Sequence, residues 1–213
     1  MLSFDAHKDQ QAADETSTLG RRSFFLAIGA AIAAFVFSRF YTHDRGVEAA
    51  VKTNPVPGAP PKLVKIVEFT DAGVRKDEVT VPMIVKTNAE WQKQLTPESF
   101  EVAREEGTEH PYTNENPNGH QPGVFRCICC DTALYNANTK FESGTGWPSF
   151  WQPIAKENVL ETTDHTFGME RTAVSCRRCA AHLGHVFDDG PQPTGLRYCM
   201  NAVAMKFAKA STT

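Results

Sequence analysis

The stretch "GVFRCICCDTALY", residues 123–135, decides how this chain folds. It sets two thiols, Cys127 and Cys130, at C-x-x-C spacing inside an apolar run. A second stretch, "SCRRCAAHLGHVF" at 175–187, repeats the frame with Cys176 and Cys179. In both, a leucine stands four residues after the second cysteine, Leu134 and Leu183. A C-x-x-C turn presents two thiolates at about the bite that a tetrahedral Zn²⁺ needs, and two such turns complete an all-sulfur shell with no open position. The gap between the pairs is longer than in a compact zinc ribbon. The expected metal therefore clamps two distant parts of one domain and takes no part in chemistry.

Outward from these turns, short apolar runs such as "TAVSC" and "RYCMNAVAMKF" alternate with Gly, Pro, Asn and Asp. That rhythm predicts a mainly β fold, antiparallel, with α structure as the minor part. The helical part is "NAEWQKQLTPESFEVAREEGTE", residues 88–109. Asn88 is expected to cap a first helix holding Trp91 and Leu95. Thr96 is the expected cap of a second, with Pro97 at its first position and Phe100, Val102 and Ala103 on its apolar face. Further upstream, "KLVKIVEFT" alternates as a strand does, starting near Leu63.

The chain has 213 residues and a net charge of -3, which offers no basic face for nucleic acid. Its N-terminus reads separately. Residues 1–19 are polar and expected to be disordered. Residues 20–40 carry Arg21-Arg22 ahead of an apolar run from Phe24 to Phe37, which resembles a twin-arginine export signal or membrane anchor. The expected location is the periplasm, or a membrane with the domain facing it; the alternative is the cytoplasm. Residues 41–80 read as a Pro-rich linker and lead-in, and 81–210 as the catalytic domain.

Four of six cysteines go to the metal, leaving Cys129 and Cys199. Around Cys199, in "RYCMN", Arg197 and Asn201 fall on the same face of a strand. Arg197 is then expected to lower the thiol pKa, and Asn201 to donate a hydrogen bond beside it. "HLGHVFDDGP" adds His182 and His185. An isolated cysteine is as readily buried filler as reagent, so spacing alone leaves both readings open. "FESGTGWPSFW" puts Trp147 on a Gly-Pro loop, either as core or as an apolar pocket wall.

Together these segments, from Trp91 to Phe207, resemble the methionine-R-sulfoxide reductase (MsrB) family in its zinc-containing form. The resemblance implies two small antiparallel sheets with short N-terminal helices and one structural Zn²⁺ on Cys127, Cys130, Cys176 and Cys179. It implies Cys199 as nucleophile, His185 as acid, and His182 and Asn201 as partners in the proton relay. Trp147 would wall the methyl-sulfoxide pocket, with Phe187 lining the site. The implied reaction is thiol-dependent reduction of free or protein-bound methionine R-sulfoxide through a sulfenic acid, by a chain acting as a monomer. Many family members carry a resolving cysteine where this chain has Thr145, so either Cys129 resolves the sulfenic acid or a thioredoxin-like thiol reduces it directly. Ala173 also stands where an acidic residue is common. The competing reading is a zinc-ribbon binding module without catalysis; a general disulfide oxidoreductase lacks the βαβ pattern it would need.

Overall fold

The computed structural model describes residues 60–114, 121–164 and 171–211. The expectations for residues 1–40 lie outside these. Among the described residues no helix is long and apolar enough to cross a membrane.

The first described elements are a hairpin, β1 (Leu63–Phe69) and β2 (Arg75–Pro82). In β1, Val67 and Phe69 turn inward while Lys65 and Glu68 stay outside. The hairpin is fastened to the body by Asn158. Its buried amide accepts from Val67 N at 2.7 Å and donates to Val67 O and Ala133 O, each at 2.8 Å. One amide thus completes backbone pairing for two segments far apart in sequence, where an unpaired polar group would cost about 1–3 kcal/mol.

Helix α1 (Asn88–Gln94) begins one residue earlier than the sequence suggests. Thr87, not Asn88, is the cap: its hydroxyl accepts from Glu90 N, and the Glu90 carboxylate accepts from Thr87 N at 2.8 Å. This reciprocal box needs an acidic residue at the third helical position, which Asn88 as cap would not have had. Helix α2 (Pro97–Glu105) starts as expected, with Thr96 capping Ser99 and Pro97 leading. It stops at Glu106, which sits in the left-handed region at φ 63°. Trp91 is fully buried between two cations, Lys86 Nζ at 4.7 Å and the Arg104 guanidinium at 4.8 Å from its ring centre.

Beyond the helices the chain is antiparallel β structure. A three-stranded sheet has the order β11-β3-β4, from β3 (Gly123–Cys127), β4 (Ala133–Asn136) and β11 (Met205–Lys209). A six-stranded sheet runs β5-β6-β10-β9-β8-β7. Its strands are β5 (Lys140–Phe141), β6 (Ser149–Phe150), β7 (Val159–Asp164), β8 (Arg171–Cys176), β9 (His182–Phe187) and β10 (Arg197–Met200). These are the two sheets expected, and the β1–β2 hairpin adds a small third. The core between them is aromatic. Tyr135 stacks on Phe150 at 4.4 Å, Phe125 meets the edge of Phe150 at 5.0 Å, and Tyr135 Oη donates to Met200 Sδ at 3.1 Å. Alternation along β10 sends Tyr198 and Met200 into this core and leaves Arg197 and Cys199 on the other, partly open face.

Candidate active site and metal centre

The two cysteine turns share a backbone as well as a sequence frame. After Cys130, Asp131 adopts φ 64°; after Cys179, Ala180 adopts φ 55°. Asp131 N donates to Cys127 O at 2.9 Å, and Ala180 N donates to Cys176 O at 2.8 Å. Cys127 N and Cys176 N then close each turn onto Thr132 O and Ala181 O. Each turn links two strands, β3 to β4 in one sheet and β8 to β9 in the other.

The four sulfurs lie within 4.8 Å of one another, with Cys127–Cys179 at 3.6 Å and Cys130–Cys176 at 3.5 Å. A regular tetrahedron around Zn²⁺ with bonds of about 2.3 Å has sulfur–sulfur edges of about 3.8 Å. Spacing and donor chemistry both fit, so Cys127, Cys130, Cys176 and Cys179 form a structural zinc site. Hydrogen bonds among the thiols, that with Cys129 first, hold the Cys127 proton on strongly. Loading the metal must displace such protons. Cys129 itself is buried, and its sulfur is engaged with Cys127 and Cys179. No cysteine is in a disulfide.

Cys199 occupies the middle of the six-stranded sheet, directly opposite Ser149 on β6 and His185 on β9. Directly opposed residues share a face, so thiol, hydroxyl and imidazole form one cross-strand row. Ala173 continues this row opposite His185. His182 and His185, three apart on a strand, ought to face opposite ways. The register slips by one residue between Val174–Gly184 and Ser175–His182, and this bulge brings the two rings to 5.3 Å, edge to face. Gly184 makes the bulge possible: its φ is 152°, and a Cβ there would stand 2.1 Å from Cys199 O.

Thr145 Oγ1 lies 3.9 Å from Cys199 Sγ. Behind it runs a hydroxyl chain, Thr145 to Ser143 at 2.8 Å and Ser149 to Ser143 at 2.7 Å. Trp147, partly buried on the same loop, donates Nε1–H to Glu109 O at 3.1 Å. Asn201 is placed differently from the sequence expectation. The strand ends at Met200, and Asn201 begins a 3-10 turn. Its amide donates to Leu183 O at 3.1 Å and accepts from Glu109 N at 3.0 Å, so it ties strand ends together.

Arg197 acts on the thiol in the expected direction, but within a wider setting. Its guanidinium makes two 2.8 Å hydrogen bonds to Asp189 and lies 4.4 Å over the Phe187 ring. Phe187 is its cross-strand partner. The charge does pull the Cys199 pKa down, as do Thr145 and Ser149, but burial outweighs them and the thiol sits above its ordinary value. Sequence reasoning missed Ser143, Ser149 and Glu109. The serines bracket "GTGWP", and a lone carboxylate in the Gly-Pro-bounded "GTEHP" was the available sign of the third.

A zinc-stapled β domain with one unligated thiol facing a histidine, on a half-open sheet face, belongs to the class of cysteine-based reductases with a structural metal. Comparison with known proteins narrows this. A SelR domain matches residues 95–209. The chain is 52% identical over 124 residues to the peptide methionine sulfoxide reductase MsrB of Pseudomonas putida (strain W619), covering 58% of this chain and 93% of that one. It is 48% identical over 130 residues to that of Agrobacterium fabrum, covering 61% and 96%. To the chloroplastic peptide methionine sulfoxide reductase B1 of Arabidopsis thaliana it is 52% identical over 117 residues, covering 55% and 58%. The chain belongs to the SelR, or MsrB, family.

Three outcomes are expected from this geometry. Metal analysis should find one zinc per chain, unchanged by Cys199→Ser, and strong chelation should remove it with a loss of thermal stability larger than any single surface substitution gives. The rate of Cys199 alkylation against pH should show a midpoint above that of a free thiol, and Arg197→Met should move it higher still. By linkage, a raised folded-state pKa contributes stability below the unfolded value that is lost as pH rises through the folded one. Cys199→Ser should therefore flatten part of the alkaline unfolding limb.

Proposed function

We propose that this chain reduces the R epimer of methionine sulfoxide, free or within proteins, to methionine. The observation that carries the reading is the row Ser149–Cys199–His185, inside the segment shared with the family. A sulfoxide sulfur becomes a good electrophile as its oxygen takes up a proton, so attack by a thiolate must be matched by proton delivery. Cys199 supplies the sulfur nucleophile. His185, opposite it and against His182, supplies the acid, and Trp147 bounds the side that receives the methyl group.

The step balances: the sulfoxide oxygen passes to Cys199 as a sulfenic acid, and methionine leaves with its sulfur reduced by two electrons. Two equivalents of an external thiol then return Cys199, releasing water and a disulfide. Direct reduction is favoured over resolution by Cys129, because Thr145 stands at 3.9 Å from Cys199 while the Cys129 sulfur is engaged with zinc-site thiols. The zinc holds the fold and takes no part in these steps. Family membership sets aside the zinc-ribbon binding module.

The same proposal covers location and assembly. Arg21-Arg22 and the apolar run after them support export or anchoring on the periplasmic side of a membrane, with the domain acting as a monomer reduced by a thiol available there. Fractionation should find wild type outside the cytoplasm and the Arg21→Lys/Arg22→Lys double variant inside it; equal distribution of both would count against export.

With dithiothreitol as reductant, the chain should turn over the R sulfoxide and leave the S epimer untouched. Cys199→Ser should lower turnover by at least about 10³-fold, and turnover of the S form would defeat the reading. Thr145→Cys should form a disulfide with Cys199 after one turnover, detectable as the loss of two free thiols.

A further inference from the structure

Glu109 lies in the loop after α2, where its neighbours Thr108, His110, Pro111 and Tyr112 are all exposed. It alone is buried, at 5% exposure. All of its polar groups are engaged, most of them with residues 201–203 and one with the Trp147 loop. The backbone N–H donates to Asn201 Oδ1 at 3.0 Å, and the backbone carbonyl accepts from Trp147 Nε1 at 3.1 Å. One carboxylate oxygen accepts from Ala202 N at 2.7 Å; the other accepts from Val203 N at 3.1 Å and Asn114 Nδ2 at 3.3 Å.

These bonds have a direction. Asn201, Ala202 and Val203 follow Cys199 by two to four residues, so Glu109 grips the turn that directly follows the nucleophile's strand. The carbonyl of the same residue grips the indole on a separate loop. That loop docks on the same segment elsewhere: Tyr112 N donates to Gly146 O at 2.8 Å and Tyr112 Oη to Gly144 O at 2.7 Å. A Cβ at Gly146 would press on Pro111 and Tyr112 at 2.8 Å, so the fit is close. Nucleophile and pocket wall come from chain segments about fifty residues apart. The pairing of β6 with β10 and the 2.9 Å bond from Met200 N to Pro148 O join their backbones, and Glu109 holds the Trp147 indole against that frame.

A carboxylate is a costly choice for this work. Burial pushes the Glu109 pKa up, against the pull of the Ala202 and Val203 amides. Glutamine does not do the same job. Two adjacent N–H donors need two acceptor oxygens, whereas glutamine would turn an NH₂ toward one of them.

We propose that Glu109 is a positioning residue for the reductase reaction, acting through Trp147 to set the methyl-sulfoxide pocket against Cys199. The inference rests on the proposed function for its kinetic side and on the structure alone for its geometric side, and the experiment separates the two. In the zinc-loaded full chain, Glu109→Gln should raise KM for the R sulfoxide about tenfold, with kcat changed less, because a pocket wall is loosened and the nucleophile is not. Alkylation of Cys199 by iodoacetamide should stay within about twofold of wild type, since that reagent does not use the wall. In a double-mutant cycle, Glu109→Gln added to Trp147→Phe should cost no more than Trp147→Phe alone. Additive losses would assign Glu109 a merely structural role and overturn the proposal.

Independently of any reaction, acrylamide quenching in a Trp151→Phe background reports Trp147, because Trp91 is fully buried. Quenching should increase in Glu109→Gln, and unchanged quenching would also overturn the proposal. A wild-type chain inactive on the R sulfoxide would end the functional reading and leave the quenching result to decide this one. If Glu109→Gln does not give a folded, zinc-loaded chain, Glu109→Asp decides. It keeps the charge on a shorter arm, and a smaller KM rise with the same sub-additivity is expected.

Discussion

The constraint on which this structure depends is the sulfur clamp between its two larger sheets. One pair of thiols closes the β3–β4 turn of the three-stranded sheet; the other closes the β8–β9 turn of the six-stranded sheet. Neither turn is a strong element alone, since each needs a non-glycine residue in the left-handed region, Asp131 or Ala180. A tetrahedral metal joins the two and fixes the sheets at one separation. The clamp also reaches the helices, because Arg104 of α2 donates to Cys179 O at 2.8 Å while its guanidinium covers Trp91. The strands that carry His185 and Cys199 start from, or lie beside, a position the metal has set.

The reactive thiol obeys the opposite logic. Nothing clamps it, and it is exposed enough to meet a substrate but buried enough for its pKa to rise. A raised pKa leaves less thiolate at neutral pH, so the thiol must give up its proton as the substrate oxygen takes one up. A fully ionised thiolate beside a strong cation would draw that cation away from the sulfoxide oxygen. Arg197 is shared: Asp189 takes one edge of its guanidinium, through Nε and Nη2, while its charge also pulls on Cys199. The hydroxyls of Thr145 and Ser149 provide a milder polarity than a full charge would.

Much of this was legible in the sequence, for reasons that can be named. The C-x-x-C turns were legible because metal bite is a local property, encoded in four residues. Helix α2 was legible because Thr96-Pro97 is a local cap. Alternation gave the facing of Arg197 and Cys199 on β10, since period two needs no tertiary information. What failed or was missed depended on more distant parts of the chain. Asn201 was carried one residue beyond the end of its strand. The two histidines meet only through a bulge, which no period-two reading contains. The downward pull of Arg197 on the thiol was legible, but the burial that outweighs it was not. Glu109 carried no motif at all, and its role is visible only once five partners from three segments are placed around it.

One feature of the site reaches beyond chemistry at a single atom. The side chains that touch Cys199 sulfur from the glycine loop and from β6 end in oxygen, Thr145 and Ser149. Oxygen does not trade electrons with sulfur as a thiol does, so neither of these neighbours can form a disulfide with Cys199. Both can still shape its surroundings: the glycine loop and β6 give the thiol hydroxyl contact and leave its oxidation state unchanged.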